Sequence, residues 1–283
     1  MAPRSQPTAR QVRLGTELRR LREASGLKGR EVAALLSSTS AQISQVEAGL
    51  AGVSEERVRR LAAHYACTDQ PYIDALVAMA ADRTQGWWEE FKGVLPPPFL
   101  DTAELEHHAT FLREVVIAYV PGLFQLPDYA RAVYSYVMPG IPNSELEPRL
   151  EHRMKRRTVL EGDHPTPYEA IVHEAALRIR VADRRVARAQ LEAILHQTEH
   201  DHVSVRVIPF DQDDFAGAGA TMMYLGGPLA RLDTGLRDSP TGTAVIDAEP
   251  HLVRLRTLLS QVEKSSLAPA QSRDFIHHML KEL

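Results

Sequence analysis

Apolar residues recur at helical spacing through the first third of the chain. In "VRLGTELRRLREASG" Leu14, Leu18 and Leu21 share one face, and Gly26 ends the pattern. "GREVAALLS" predicts a second, short helix with Val32, Leu35 and Leu36 inward. Residues 40–48 predict a third. Ser54 is placed to cap a fourth, "EERVRRLAAHYA", whose Glu55 and Glu56 suit the positive end of its dipole. "QPYIDALVAMAADR" predicts a fifth, longer helix leading out of this unit.

The pattern then changes. "GWWEEFKGVLPPPFL" holds both tryptophans and a proline run, which suggests packing and an interdomain hinge. Beyond it, 113–120, 168–173, 203–210, 221–226 and 243–247 are β-branched and apolar and predict strands. Helices are expected near 127–138, 143–160, 183–198, 249–263 and 269–282. The expected fold is an all-α N-terminal domain of about five helices followed by a larger α+β domain. The expected divisions are a disordered tail (1–10), a compact helical domain (11–66), a helical connector (67–85) and the α+β domain (86–283).

Charge sharpens this division. Residues 1–66 carry 11 Lys and Arg against 6 Asp and Glu, a net of +5. The remainder carries 22 against 31, a net of −9. A basic front end on an acidic body suits a polyanionic partner for the front end. The single cysteine, Cys67, excludes an internal disulfide framework and reads as a small apolar residue at a helix end. No apolar run approaches the roughly 18 residues of a membrane span. The start, "MAPRSQPTARQVR", has no apolar core of a signal peptide. A cytoplasmic protein is expected.

The stretch "TSAQISQVEAG" (39–49) is unusual because its polar face is small and uncharged. A helix-turn-helix explains it. Ala33 is small enough for the helix crossing, Ile43 and Val46 anchor the second helix, and Thr39 caps it. Thr39 with Gln42 fits a capping box. Ser40, Ala41, Ser44 and Gln45 then share the outer face, with Gln42 at its side, as candidate base readers. Lys28, Arg30 and Thr39 are candidate phosphate contacts.

This region resembles the phage-repressor-like (XRE, or lambda-repressor-like) helix-turn-helix family over residues 11–66, through Leu14, Leu18, Leu21, Arg22, Gly26, Leu27, Glu31, Val32, Ala33, Ile43, Ser44, Val46, Glu47 and Gly49. The resemblance implies double-stranded DNA as partner, an Arg22–Glu47 pair beneath the motif, and base reading by Ser40, Ala41 and Gln45. It departs at Ser37, where the family's turn usually has glycine. A left-handed non-glycine residue there costs roughly 1–2 kcal/mol. Such units often read two half-sites as dimers, so a homodimer is expected.

In the second domain "VPGLFQLPDYARAVY" and "IVHEAALR" stand out. With "QLEAIL", "VSVRVIPF" and a glycine-rich hairpin near 217–227, they resemble the C-terminal domain of actinobacterial WhiJ-like regulators over most of residues 86–280. That resemblance implies developmental or antibiotic-related transcriptional control and a small partner protein. Gln125, Tyr129, His173, Glu174, Arg178 and Phe210 are candidate residues of a ligand or partner pocket, although a purely structural role is the simpler expectation. Leu123 and Phe124 fit a cavity wall or ordinary core. The pairs His107-His108 and His277-His278 do not chelate by adjacency alone, so no metal site is expected. No catalytic motif is found, and neither enzyme activity nor a cofactor is expected. The leading expectation is a transcriptional regulator, with repression as its mode, that senses a small ligand or a protein. The alternative is the DNA-binding member of a toxin–antitoxin-like pair.

Overall fold

A computed structural model describes residues 6–82, 84–213, 215, 217–239 and 242–283. The chain divides into two compact units. One comprises Met1–Lys92 with Leu100–Leu105, the other Gly93–Phe99 with Glu106–Leu283.

The N-terminal unit holds α1 (Ala9–Ala24), α2 (Gly29–Leu35), α3 (Ser40–Glu47), α4 (Glu55–His64) and α5 (Gln70–Ala81), then a 3₁₀ turn, Trp87–Phe91. The disordered tail expected over 1–10 is corrected at its end, because Thr8 caps a helix that starts at Ala9; residues 1–5 lie outside the described residues. Thr8 Oγ1 accepts from Gln11 N at 3.2 Å and Gln11 Oε1 accepts from Thr8 N at 3.0 Å. This capping box satisfies two orphan donors of the first turn. Ser54 caps α4 as expected, accepting from Arg57 N at 3.2 Å.

Helix α5 is not a connector leading away. It packs back on α4 and α1, burying Tyr72, Leu76 and Ala80. Glu17 explains why. Its carboxylate, 2% exposed as a residue, accepts from Arg13 Nε at 2.8 Å and from Tyr72 Oη at 2.6 Å, and Arg20 also pairs with it. A buried carboxylate needs such partners, so Tyr72 fixes α5 against α1. Leu35, expected inward, is 48% exposed, whereas Val32 and Ala33 are buried.

Helix α6 (Pro97–His107) begins within the proline run, where a hinge was expected. Proline is tolerated in a first turn because its missing N–H has no intrahelical partner there.

The second unit is built on a six-stranded sheet of order β3-β2-β1-β4-β5-β6. The strands are β1 (Leu112–Val116), β2 (Tyr168–His173), β3 (Val203–Ile208), β4 (Met222–Leu225), β5 (Thr234–Ser239) and β6 (Gly242–Ile246). Strands β1, β2 and β3 are parallel, and β4, β5 and β6 continue antiparallel. The helices are α7 (Pro127–Val137), α8 (Asn143–Arg156), α9 (Glu174–Arg178), α10 (Arg184–Gln197), α11 (Glu249–Lys264) and α12 (Pro269–Glu282). This is the expected α+β class.

Strand β1 is shorter than its apolar run. Val120 N donates to Tyr129 Oη at 3.2 Å and Val120 O accepts from Gln125 Nε2 at 2.8 Å, which draws this residue out of strand pairing. The hairpin expected within 217–227 is not formed there: that stretch holds β4, which lies between β1 and β5 and pairs antiparallel with both. On one face Val115, Ile171, Ile208, Met222 and Tyr224 pack under Leu252, Leu259 and Val262 of α11. At the β3 edge, Leu267 N donates to Val207 O at 2.8 Å and Val207 N donates to Ser272 Oγ at 2.9 Å. The approach to α12 therefore occupies backbone groups that an edge strand leaves open. Among the described residues no helix is long and apolar enough to cross a membrane.

Candidate nucleic-acid interface

Helices α2 and α3 form the two arms of a helix-turn-helix. Ser37 in the turn has φ +49°, so it adopts the left-handed conformation expected of this position without glycine. Ser38 N then donates to Ala33 O at 2.8 Å, closing α2. Thr39 Oγ1 accepts from Gln42 N at 3.2 Å and caps α3. The capping box is not completed by Gln42. Its Oε1 instead accepts from Ser38 Oγ at 2.6 Å, and Arg57 Nη2 donates to the same Ser38 oxygen at 3.1 Å.

Ile43 and Val46 are 3% and 5% exposed and fix which face of α3 is hidden. Ser40, Ala41, Gln42, Ser44 and Gln45 are all exposed, as are Thr39, Lys28 and Arg30. The outer face of α3 therefore offers amide, hydroxyl and methyl groups, the set that base edges in a major groove can accept.

Two features hold α3 at its angle. Arg22 Nε and Nη2 donate to Glu47 Oε1 and Oε2 at 2.6 and 2.9 Å, and Arg22 Nη1 donates to Leu27 O at 2.9 Å. This is the pair that the family resemblance implied. The hydrogen bond to Glu47 raises the Arg22 guanidinium further above neutrality. Burial, with the nearby charge of Glu47, pushes the Tyr65 hydroxyl up to about 12. The second feature was not foreseen. A Cβ on Gly15 would meet the carbonyl oxygens of Val46 and Glu47 at 2.6 Å. Glycine there lets α1 cross the end of α3 backbone to backbone. A glycine inside a good helical pattern was the available signal.

In the second unit the six pocket candidates fall into two groups. Gln125 and Tyr129 meet at Val120, and Arg153 Nη1 donates to Gln125 Oε1 at 2.7 Å. Burial raises the Tyr129 phenol. In the other group Glu174 pairs with Arg178 and accepts from Phe210 N at 2.8 Å. His173 Nδ1 accepts from Ala175 N at 3.2 Å, and its ring lies 5.3 Å from that of Phe210. These contacts account for the polar groups as structural elements: a strand exit, a helix cap and a loop anchor. Leu123 and Phe124 are 0% and 1% exposed and are core.

The sequence reading missed a buried charged cluster in this unit. Glu106 pairs with Arg156 through both carboxylate oxygens, with Arg156 Nε at 2.8 Å from Oε2. Glu114 accepts from the Tyr168 hydroxyl across the β1–β2 pair. Burial pushes the Glu114 carboxyl up to about 7. His152 stands 5.6 Å from the Phe99 ring; burial, then the charges of Arg156 and Arg153, lower its imidazole to about 3. The signal in the sequence was slight: Glu114 falls on the alternate positions of β1 that also carry Leu112 and Val116.

Residues 13–76 match the model of a helix-turn-helix domain family. Residues 99–278 match that of a domain of unknown function, DUF5753. No curated protein and no solved structure matches the chain.

Proposed function

The chain belongs to the DUF5753 family and carries a helix-turn-helix domain ahead of that domain, and we propose that it is a sequence-specific transcriptional regulator of the XRE type. The observation that supports this most is the exposed, uncharged polar face of α3, held by the Arg22–Glu47 fork. Ser40, Ala41, Gln42, Ser44 and Gln45 read bases in this proposal, and Lys28, Arg30 and Thr39 meet phosphate. The protein acts as a cytoplasmic homodimer on half-sites about one helical turn apart.

The second unit, in this reading, is a regulatory module like those of the WhiJ-like proteins of actinobacteria rather than an enzyme. A ligand or small protein that prefers one arrangement of the dimer shifts its population and so its DNA affinity. Repression is the simplest mode, by occupation of the operator.

Selection from random duplex DNA, followed by titration of variants, tests the proposal. Gln45→Ala is expected to cost roughly 1–3 kcal/mol on the selected site and to relax specificity at one base pair. Arg30→Ala is expected to weaken binding to all sequences and to reduce the salt slope by about one. No selected sequence, or equal losses on every duplex for both variants, would overturn base reading.

A further inference from the structure

The side chain of Gln42 is oriented by a hydrogen-bond relay, and the relay has a direction. Arg57 Nη2 donates to Ser38 Oγ at 3.1 Å. A guanidinium only donates, so this contact uses acceptor capacity of the hydroxyl. Ser38 Oγ in turn donates its proton to Gln42 Oε1 at 2.6 Å. One lone pair of the Gln42 amide oxygen is thereby used within the protein, while the residue as a whole is exposed.

All three members of the relay are anchored through their backbone N–H groups. Ser38 N is bonded to Ala33 O at 2.8 Å, and Arg57 N to Ser54 Oγ at 3.2 Å. Gln42 N is bonded to Thr39 Oγ1 at 3.2 Å. The three residues come from the turn, the recognition helix and α4, so none of this is set by α3 alone.

Resting on the DNA-binding reading above, we propose that Ser38 and Arg57 are positioning residues that hold the Gln42 amide oxygen toward the turn, so that Gln42 reads chiefly as a donor and prefers guanine. A free glutamine amide pairs with adenine by accepting from N6 and donating to N7. In this proposal the bond to Ser38 uses one lone pair of Gln42 Oε1 and holds the oxygen toward the turn, so the bond from adenine N6 is weakened while both N–H donors stay available. Guanine presents two acceptors in the major groove, O6 and N7, which suit the two N–H groups. Cytosine presents a donor and is opposed.

The test uses the full-length protein and its selected operator. Dissociation constants are measured with each of the four base pairs at each position, for the wild type and for Gln42→Ala, Ser38→Ala and Arg57→Met. The base pair whose discrimination Gln42→Ala abolishes is the one Gln42 reads. The wild type is expected to prefer guanine over adenine there by roughly tenfold, the lower end of a good bidentate contact. Ser38→Ala and Arg57→Met are expected to shift that preference toward adenine, leaving the Gln45 position unchanged. Adenine preference in the wild type, or an unaltered profile in both relay variants, overturns the proposal; so does a Gln42→Ala profile identical to wild type. Because the wild-type profile is itself decisive, poor folding of a variant does not rescue the idea. Failure to select any operator would sink the DNA-binding reading itself, whereas an operator that is blind to these changes sinks only the relay.

Discussion

Gly15→Ala separates local propensity from tertiary packing with unusual clarity. On propensity alone, alanine in the middle of a 16-residue helix gains about 1 kcal/mol over glycine. Packing acts the other way. The new Cβ would sit 2.6 Å from two carbonyl oxygens and 2.8 Å from the Glu47 carbonyl carbon, where ordinary contact begins at 3.4 Å. These are backbone atoms of α3, so no side chain can rotate aside. Helices α1 and α3 must part by up to about 0.8 Å. Overpacking of this kind typically costs about 1–3 kcal/mol, and backbone partners place it at the upper end. The expected net loss is about 2 kcal/mol, which lowers the melting temperature of a unit this size by roughly 10 °C. Trp87 and Trp88, the chain's two tryptophans, both lie in the N-terminal unit, so their fluorescence follows its unfolding selectively. Operator affinity should fall as well, since the displaced helix carries the reading face. A Gly15→Ala protein as stable as wild type, or more so, would refute the close crossing.

Ser37→Gly should raise the stability of the same unit by up to about 1 kcal/mol in urea titration, because Ser37 sits at φ +49°; a loss would show that the side chain repays its strain. Arg22→Lys should cost about 1–2 kcal/mol, since lysine cannot reproduce the fork to Glu47 with a third bond to Leu27 O; unchanged unfolding would sink the anchoring role. Glu114→Gln tests the buried carboxyl. Its folded value, about 7, lies above the unfolded value near 4.3. Stability from this group is therefore fully present below about pH 4.3 and is lost as pH rises through 7, by on the order of 2–4 kcal/mol. The variant should match wild type at pH 4 and exceed it at pH 8 in denaturation followed by circular dichroism. His152 has the opposite sign: its contribution is present above about 6.5 and is lost as pH falls toward 3. Glu114→Gln should accordingly show a steeper loss below pH 6.5 than wild type; superimposable profiles would refute the Glu114 assignment, and a variant whose stability does not fall between pH 6.5 and 3 would refute that of His152.

The N-terminal unit was legible where its information is local. Helix periodicity, the caps at Thr39 and Ser54, and the turn at Ser37 depend on neighbours a few residues away. The direction of α5 was not legible, because it depends on Tyr72 reaching Glu17 across 55 positions. Strand β5, "TGLRDS", carries few β-formers and exists through its pairing with β4 and β6. Helix α6 was hidden by prolines that favour its first turn as readily as a hinge. At the interface, the exposed residues of α3 followed from Ile43 and Val46. The relay to Gln42 did not: Ser38 is only four positions away, but Arg57 reaches Ser38 only when α4 packs beside the turn. The Glu106–Arg156 and Glu114–Tyr168 contacts likewise join residues 50 and 54 positions apart.

The cover on the β3 edge sets a clock during synthesis. Val207 is 65 positions ahead of the serine that accepts its N–H proton. At about 5–20 residues per second, a ribosome needs roughly 3–13 s to make that interval. Throughout it "VSVRVI" exists in a nascent chain without its cover, rich in valine and bearing one charge. Such a bare edge invites pairing with other strands. Slow translation between residues 207 and 272 should therefore increase aggregation, and a chaperone that shields extended apolar segments should matter most in that window.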